Sequence, residues 1–294
     1  MISILIPTYN YTAYPLASAL AQQAQSMETP CEIIIADDAS TSDECKRQNR
    51  AMASLPHCTY IELEHNLGRA SIRNLLADKA KGEWLLFLDC DGLPLDNHFL
   101  TRYIQAAIDS PQADIICGGI LHPQELPSLD QSLRYFYEKK AEKHHTVAIR
   151  NERPYASFRT FNFMIRRKSF LQVRFDESFH HYGYEDVLFG IQLQERGFHI
   201  LHIDNPLENQ DIEPNDVFLK KTEEALRTLA EQADKLGDSV QLHRFYLRLK
   251  KVGLTPLVRM TFRILRTTLQ HNLLGRNPKM SYFAFYKLGY YATL

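Results

Sequence analysis

The 294-residue sequence has five cysteines (Cys31, Cys45, Cys58, Cys90 and Cys117) and no CxxC pair among them. An odd, scattered set argues against a disulfide framework or a zinc knuckle and predicts a reducing compartment. Apolar runs are short as well. None approaches the ~18 residues of a membrane span, and no basic leader precedes Ile2-Ser3-Ile4-Leu5-Ile6-Pro7, so the expected location is cytoplasmic. Glycine-rich phosphate loops are missing too: there is no GxGxxG after the first apolar run and no GxxxxGK[ST] anywhere. That argues against dinucleotide oxidoreductases and P-loop NTPases. A diphosphate would then need a metal ion rather than a helix N-terminus alone. Finally, acid is absent from Ser239 to Leu294, where ten Lys and Arg occur with no Asp or Glu. The preceding 238 residues hold 24 basic against 35 acidic residues, a net charge of −11. An acidic body with a basic tail predicts two jobs, and the acidic body argues against a nucleic-acid partner.

What is present is an alternation. Apolar runs at Ile2–Ile6, Glu32–Ala36, Tyr60–Leu63, Trp84–Leu88 and Ile115–Cys117 read as strands. Helical patterns separate them at Ala13–Gln25, from about Asp43, after Gly68 and at Phe99–Ile108. Such alternation predicts right-handed βαβ crossovers and a mainly parallel sheet. Further on, Asn162–Ile165 and Phe198–Ile203 read as strands and Asp186–Glu195 as a helix ended by Gly197. Beyond Pro214 the pattern is helical: Val217–Leu236, Val240–Lys251 and Pro256–Leu274. Two units are expected, a catalytic domain at 1–215 and a basic helical extension at 216–294.

In an open α/β sheet, ligands bind at the carboxyl ends of strands. Acidic pairs stand at two such ends, Asp37-Asp38 and Asp89-Cys90-Asp91. Clustered carboxylates repel unless a cation or hydrogen-bonding ligand enters. Two oxygen ligands one residue apart suit Mg²⁺ or Mn²⁺. In an extended stretch Asp89 and Asp91 share a face while Cys90 points away. The plain alternative is turn chemistry at strand ends. A third acidic pair, Glu185-Asp186 after Gly183-Tyr184, begins a helix, where the dipole favours carboxylates in any protein. An ionised carboxylate there could also serve as a general base.

Together these residues resemble the family 2 inverting glycosyltransferases of GT-A fold. The resemblance rests on Ser3-Ile4-Leu5-Ile6-Pro7-Thr8-Tyr9-Asn10, Glu32 to Ser40 with Asp37-Asp38, Asn66-Leu67-Gly68-Arg69 with Arg73-Asn74, Asp89-Cys90-Asp91, and Tyr184-Glu185-Asp186. It spans roughly the first 200 residues and leaves out the last 80. It implies a GT-A, Rossmann-like nucleotide-binding sheet flanked by helices, with a C-terminal helical extension. It implies a nucleoside-diphosphate sugar donor, with UDP as the nucleotide, and a saccharide or lipid-linked saccharide acceptor in cell-surface polysaccharide or glycan biosynthesis. Pro7, Thr8 and Tyr9 would lie against the base, with Asp38 and Asp37 accepting hydrogen bonds from uracil and ribose. Asn66, Arg69 and Arg73 would border the nucleotide pocket. Asp89 would face ribose, donor sugar or metal, Asp91 would hold Mn²⁺ or Mg²⁺, and Asp186 would be the base with Glu185 beside it. The family often carries a metal-binding histidine where this sequence has Asn209, with Glu208 and Asp211 as alternative ligands.

Other readings stay open at this point. A nucleotidyltransferase also uses metal-bound aspartates, although Pro7-Thr8-Tyr9-Asn10 lacks the usual glycine-rich loop. A silent sugar-nucleotide-binding relative is compatible with Asn209. Core packing would also explain Tyr9, and a surface ion pair would explain Arg73. His199 and His202 are expected to be structural, and His144-His145 and His180-His181 to be surface or acceptor-loop residues. In the tail, Val258, Phe262, Leu265 and Leu269 recur at helical spacing beside Arg259, Arg263 and Arg266. That pattern fits either an anionic membrane surface or a helix packed on the catalytic domain.

Overall fold

The computed structural model describes residues 1–143 and 145–294; the reading of His144 lies outside them. In chain order the elements are β1 (Ile2–Thr8), α1 (Tyr14–Gln25), β2 (Cys31–Asp37), α2 (Asp43–Arg50), β3 (Cys58–Glu62), α3 (Arg69–Lys79), β4 (Trp84–Leu88), β5 (Gly92–Pro94), α4 (Phe99–Asp109), β6 (Ile115–Cys117) and β7 (Ile120–Leu121). Then come α5 (Ser132–Glu142), α6 (Val147–Glu152), β8 (Asn162–Arg166), α7 (Arg167–Val173), α8 (Glu185–Glu195), β9 (Ile200–His202) and β10 (Leu207–Asn209). The chain ends in α9 (Asn215–Glu231), α10 (Ala233–Leu236), α11 (Gln241–Lys251), α12 (Thr255–Leu273) and α13 (Met280–Thr293).

Seven strands form one sheet in the order β3-β2-β1-β4-β8-β6-β9. Its pairs are parallel except those of β8, which runs antiparallel to β4 and β6. Strands buried on both faces are continuously apolar, and successive side chains go to opposite sides. Ile2, Ile4, Ile6, Ile33, Ile35, Leu86 and Leu88 therefore share one core with Leu16, Leu20 and Tyr103 of α1 and α4. Leu5, Ile34, Leu85 and Phe87 point the other way, into a core with Ile72, Leu76, Phe170 and Phe189 of α3, α7 and α8. Helix starts follow their local chemistry: Pro15 sits in the first turn of α1, and the Ser42 hydroxyl accepts from the Cys45 N–H to cap α2.

A second, three-stranded sheet, β5-β10-β7, was not read from the sequence. It pairs Asn209 with Gly92 across antiparallel strands, bringing the loop after β9 beside the end of β4. Nor was α13 read as a helix. Its Phe283, Tyr286, Tyr290 and Tyr291 join Phe262, Leu269 and Leu273 of α12 and Leu226 and Leu229 of α9 in a third core. That core also takes Leu133, Phe179 and Leu188 from the region before α9. The helical extension thus shares its packing with α5 and α8. The expected stripe on α12 is rotated: Phe262 and Leu269 are buried, whereas Leu265 is 39% exposed. Gly289 permits the closeness of α12 and α13, since a Cβ there would lie 2.4 Å from the Phe262 ring. Among the described residues no helix is long and apolar enough to cross a membrane.

His202 is a core histidine, as expected, while His199 is exposed. Arg150 Nη1 donates to its Nδ1 at 3.3 Å, and its Nε2 donates to the Pro154 carbonyl at 3.0 Å. The ring is therefore held neutral. Burial, opposed by the Pro154 carbonyl and reinforced by Arg150, lowers its pKa to about 4. An unfolded histidine takes up its proton near pH 6.5, so the stability present above that pH is lost as pH falls toward 4. The expected loss is about 3 kcal/mol. Denaturant titrations of wild type and His202→Gln from pH 7 to 4 test this (about the range of the shift): the variant should show a flatter slope even if its absolute stability is lower. An unchanged slope would assign the acid sensitivity elsewhere.

Candidate active site

The carboxyl ends of β1, β2 and β4 open onto one cleft of about 760 Å³. It gathers Pro7, Thr8, Tyr9, Asp38, Asn66, Arg69, Arg73, Asp89, Asp91 and Asn209, residues that span two hundred positions of sequence. Asp37, Glu185 and Asp186 do not line it.

After β1 the backbone turns at Asn10, whose φ of +51° is in the left-handed region that Asn tolerates better than most residues. The Asn10 Oδ1 accepts the N–H groups of Thr41 (2.8 Å) and Ser42 (3.0 Å), and its own N–H donates to Ser40 Oγ at 2.7 Å. This ties the β1 loop to the β2 loop. Tyr9 stands 49% exposed on the cleft wall, which removes the core-packing reading.

The two aspartates after β2 divide their work. Asp37 is wholly buried beneath the cleft, accepting from Ser40 N–H at 2.7 Å and from Tyr60 Oη at 2.9 Å. Its carboxylate holds the loop rather than facing a ligand. Asp38 reaches the cleft, but both oxygens are engaged, by Leu67 N–H at 2.6 Å and Gly68 N–H at 2.9 Å. Asn66 Nδ2 donates to the Asp38 carbonyl at 2.8 Å. Burial raises the Asp38 pKa and these backbone donors lower it. Asp38 thus clamps the loop that launches α3, and its remaining lone pairs stay available to a ligand.

Arg73 and Arg69 follow on the first turns of α3. Arg73 is 2% exposed. Its Nη2 donates to Asp89 at 2.7 Å, and its Nη1 lies 3.8 Å from Glu185. This is a buried pair in place of the surface pair considered from the sequence. It also joins two motifs a hundred residues apart. Arg69 stacks over the Tyr182 ring at 4.7 Å. Behind Arg73, Gly183 (φ +107°) and Tyr184 (φ +67°) form a left-handed turn into α8. A Cβ on Gly183 would meet Ala225 Cβ at 2.7 Å. Glu185 is buried in the first turn of α8, and Asp186 Oδ1 accepts the Val187 N–H at 2.8 Å. Burial raises the Asp186 pKa, with Arg159 opposing and Glu185 reinforcing.

The Asp91 pKa is displaced as well. Burial, then Asp89, pushes its carboxyl up to about 7, against the pull of Arg134. Among the described residues it forms no ion pair, and no third His, Cys, Asp or Glu closes a metal cage around it. Asp89 and Asp91 would therefore supply two oxygens to an ion keeping several positions free. That fits Mg²⁺ or Mn²⁺ beside phosphates. Asn209 fits differently. Its Oδ1 accepts the Asp211 N–H at 2.9 Å, which fixes the amide orientation, and its buried Nδ2 has no partner. The unsatisfied group is a donor, complementary to an anionic oxygen rather than to a cation.

Sequence reasoning missed Tyr11, His122, Arg134, Glu138, Glu213 and Lys221, which also line the cleft. Arg134 pairs with Glu213 at 2.7 Å, and Lys221 also bonds Glu213. Nothing in their spacing announces them: Arg134 and Glu138 come from α5 and Lys221 from α9, while Tyr11, His122 and Glu213 sit in loops. His180 and His181 lie in the cleft wall.

Residues 3–175 match the profile of Glycosyl transferase family 2. An uncharacterized glycosyltransferase of Haemophilus influenzae is 31% identical over 135 residues, 46% of this chain and 42% of that protein. The putative colanic acid biosynthesis glycosyl transferase WcaA of Escherichia coli is 29% identical over 149 residues, 47% of this chain and 53% of that protein. The matches thus span less than two thirds of these relatives' lengths. Among solved structures, mannosyltransferase PcManGT of Pyrobaculum calidifontis, in complex with GDP-Man and Mn²⁺, superposes with a TM-score of 0.60 at 14% identity. That likeness covers 99% of this chain and 84% of that one. S. aureus TarS 1-349 in complex with UDP-GlcNAc superposes with a TM-score of 0.53 at 16% identity, over 97% of this chain and 89% of that one. The architecture is GT-A, and with the profile covering more than half of its length the chain belongs to glycosyl transferase family 2.

Proposed function

We propose that the chain transfers a sugar from a nucleoside-diphosphate donor to a saccharide or lipid-linked saccharide acceptor, with inversion at the anomeric carbon. The observation that carries this reading is the convergence of Asp89, Asp91 and the orphan Asn209 amide at one end of a cleft whose other end is bounded by Pro7, Tyr9 and Asp38. One end suits a diphosphate with its cation, the other a base and ribose. The PcManGT complex with GDP-Man and Mn²⁺ and the TarS complex with UDP-GlcNAc support a sugar-nucleotide donor and a divalent ion. The likeness to WcaA supports a place in polysaccharide biosynthesis.

In this reading Tyr9 and Pro7 pack on the base, and the free lone pairs of Asp38 accept from base or ribose. Asp89 and Asp91 would hold Mn²⁺ or Mg²⁺. When bound, that ion supplies charge stabilisation to the departing diphosphate. The Asn209 Nδ2 donates to a phosphate oxygen. Asp186 stands outside the cleft lining, so its place as base rests on the resemblance carried by Tyr184-Glu185-Asp186. In that role its carboxylate, made more basic by burial, would take the proton of the attacking acceptor hydroxyl. Because no enzyme nucleophile intervenes, a single in-line displacement inverts configuration. Arg73 holds Asp89 and Glu185 in place.

Three measurements test these roles. Asp91→Asn should abolish turnover and the Mn²⁺-dependent part of nucleoside-diphosphate binding by calorimetry; full wild-type binding and turnover in excess chelator would remove the metal from the reading. Asp186→Asn should lower kcat by ~10²–10⁴ with donor affinity nearly retained. A deeper loss from Glu185→Gln would move the base by one residue. Arg73→Met should destabilise the fold by about 3–5 kcal/mol, since two carboxylates lose a buried partner. A change below about 1 kcal/mol in chemical denaturation would instead class that pair with surface ion pairs.

A further inference from the structure

The cleft leaves one surface unexplained. α12 has two apolar faces. Phe262, Leu269 and Leu273 are buried in the third core. Leu257, Met260 and Ile264, at i, i+3 and i+7, are exposed at 54%, 56% and 71%. Phe245 of α11 and Val252 and Leu254 at the junction of the two helices are exposed as well. Helical spacing of this kind marks a face meant for burial, yet none of the described residues covers it.

The charge beside this face is of one sign. No Asp or Glu occurs from Ser239 onward. Some of the cations serve the fold: Arg259 reaches the Ala292 carbonyl, Arg266 lies 3.6 Å from Glu223, and Lys287 sits over the Tyr137 ring at 4.6 Å. Arg248, Lys250 and Lys251 at the end of α11, and Arg263 between Met260 and Ile264, form no ion pair among the described residues. A second copy of the chain is a poor occupant, because an isologous contact would set these cations against themselves.

We propose that this face docks on an anionic lipid surface. The apolar side chains of α11 and α12 enter the interface, and the flanking Arg and Lys meet phosphate headgroups. The face seen in the structure differs from the stripe read in the sequence: Phe262 and Leu269 hold the helix to the protein, and Leu257, Met260 and Ile264 are turned outward. The docking stands on its own geometry; only its benefit, holding the cleft near a lipid-linked acceptor, rests on the proposed sugar transfer.

Flotation of the full chain with vesicles of phosphatidylcholine, alone or mixed with phosphatidylglycerol, tests the docking. Binding is expected to the anionic vesicles and to fall at least about tenfold between ~0.05 and ~0.5 M salt. Leu257→Ser, Met260→Ser and Ile264→Ser combined should lower it by at least about tenfold. Arg248→Glu with Arg263→Glu should lower it by a similar factor. Both variants should keep wild-type affinity for UDP and GDP by calorimetry, which verifies the fold. Equal partition to neutral and anionic vesicles, no partition at low salt, or full binding by either variant would overturn the proposal. Self-association in lipid-free solution that the triple Ser variant abolishes, with no vesicle binding, would assign the face to a second copy. Vesicle binding by a chain that binds no nucleotide would leave the docking intact and overturn the sugar-transfer reading instead.

Discussion

The site depends on one buried cation. Arg73 is enclosed between Asp89 at the end of β4 and Glu185 at the start of α8, and its ring neighbour Phe175 lies 5.6 Å away. A guanidinium out of water is tolerable only with its charge matched. The pairing therefore works in both directions: the carboxylates keep the arginine buried, and the arginine keeps three remote segments in register. α3, β4 and α8 meet at this point, and Arg73 and Asp89 carry the junction into the cleft wall. A site assembled around a desolvated pair tolerates little drift, which is what displacement chemistry needs.

Much of this was legible in the sequence because strand ends are easy to place. The β4 run Trp84–Leu88 stops where acid begins, and the structure puts the strand boundary there. Continuous apolar strands alternating with helices announced a buried, mainly parallel sheet. The antiparallel β8 was harder. Its Asn162-Phe163-Met164-Ile165 reads the same in either direction, and orientation is set by how the chain returns, not by pattern. The aromatic-rich α13 hid for a different reason: it is apolar nearly all round, so it lacks the one-sided periodicity that marks a surface helix.

The site residues divide along similar lines. Asp38 and Asp37 look equivalent in sequence, yet one reaches the cleft and the other supports its floor. Only the position of Tyr60 and the turn at Ser40 distinguish them. Arg134 of α5, Lys221 of α9 and Glu213 just before α9 lie outside the strand-end logic, and no local spacing could have brought them forward. Asn209 was legible as a departure from pattern, but its consequence was not. The Asp211 amide decides which of its two ends is spoken for.

The small β5-β10-β7 sheet has a consequence for how the protein comes into being. It brings Asn209 beside Asp91 through a three-residue antiparallel pairing of β10 with β5 and the Gln210 N–H donated to the Asp91 carbonyl, contacts between segments more than a hundred positions apart. Contacts that close such long loops form late. During synthesis the strands bearing Tyr9, Asp38 and Asp89 emerge and pair well before β10 leaves the ribosome. The nascent chain should thus acquire the nucleoside end of its cleft first and remain without the Asn209 wall of the diphosphate end until the last third has been made. Until then the β4 carboxylates would face water, where their charges are easily borne, and only the arrival of β10 and the helices behind it would close them in.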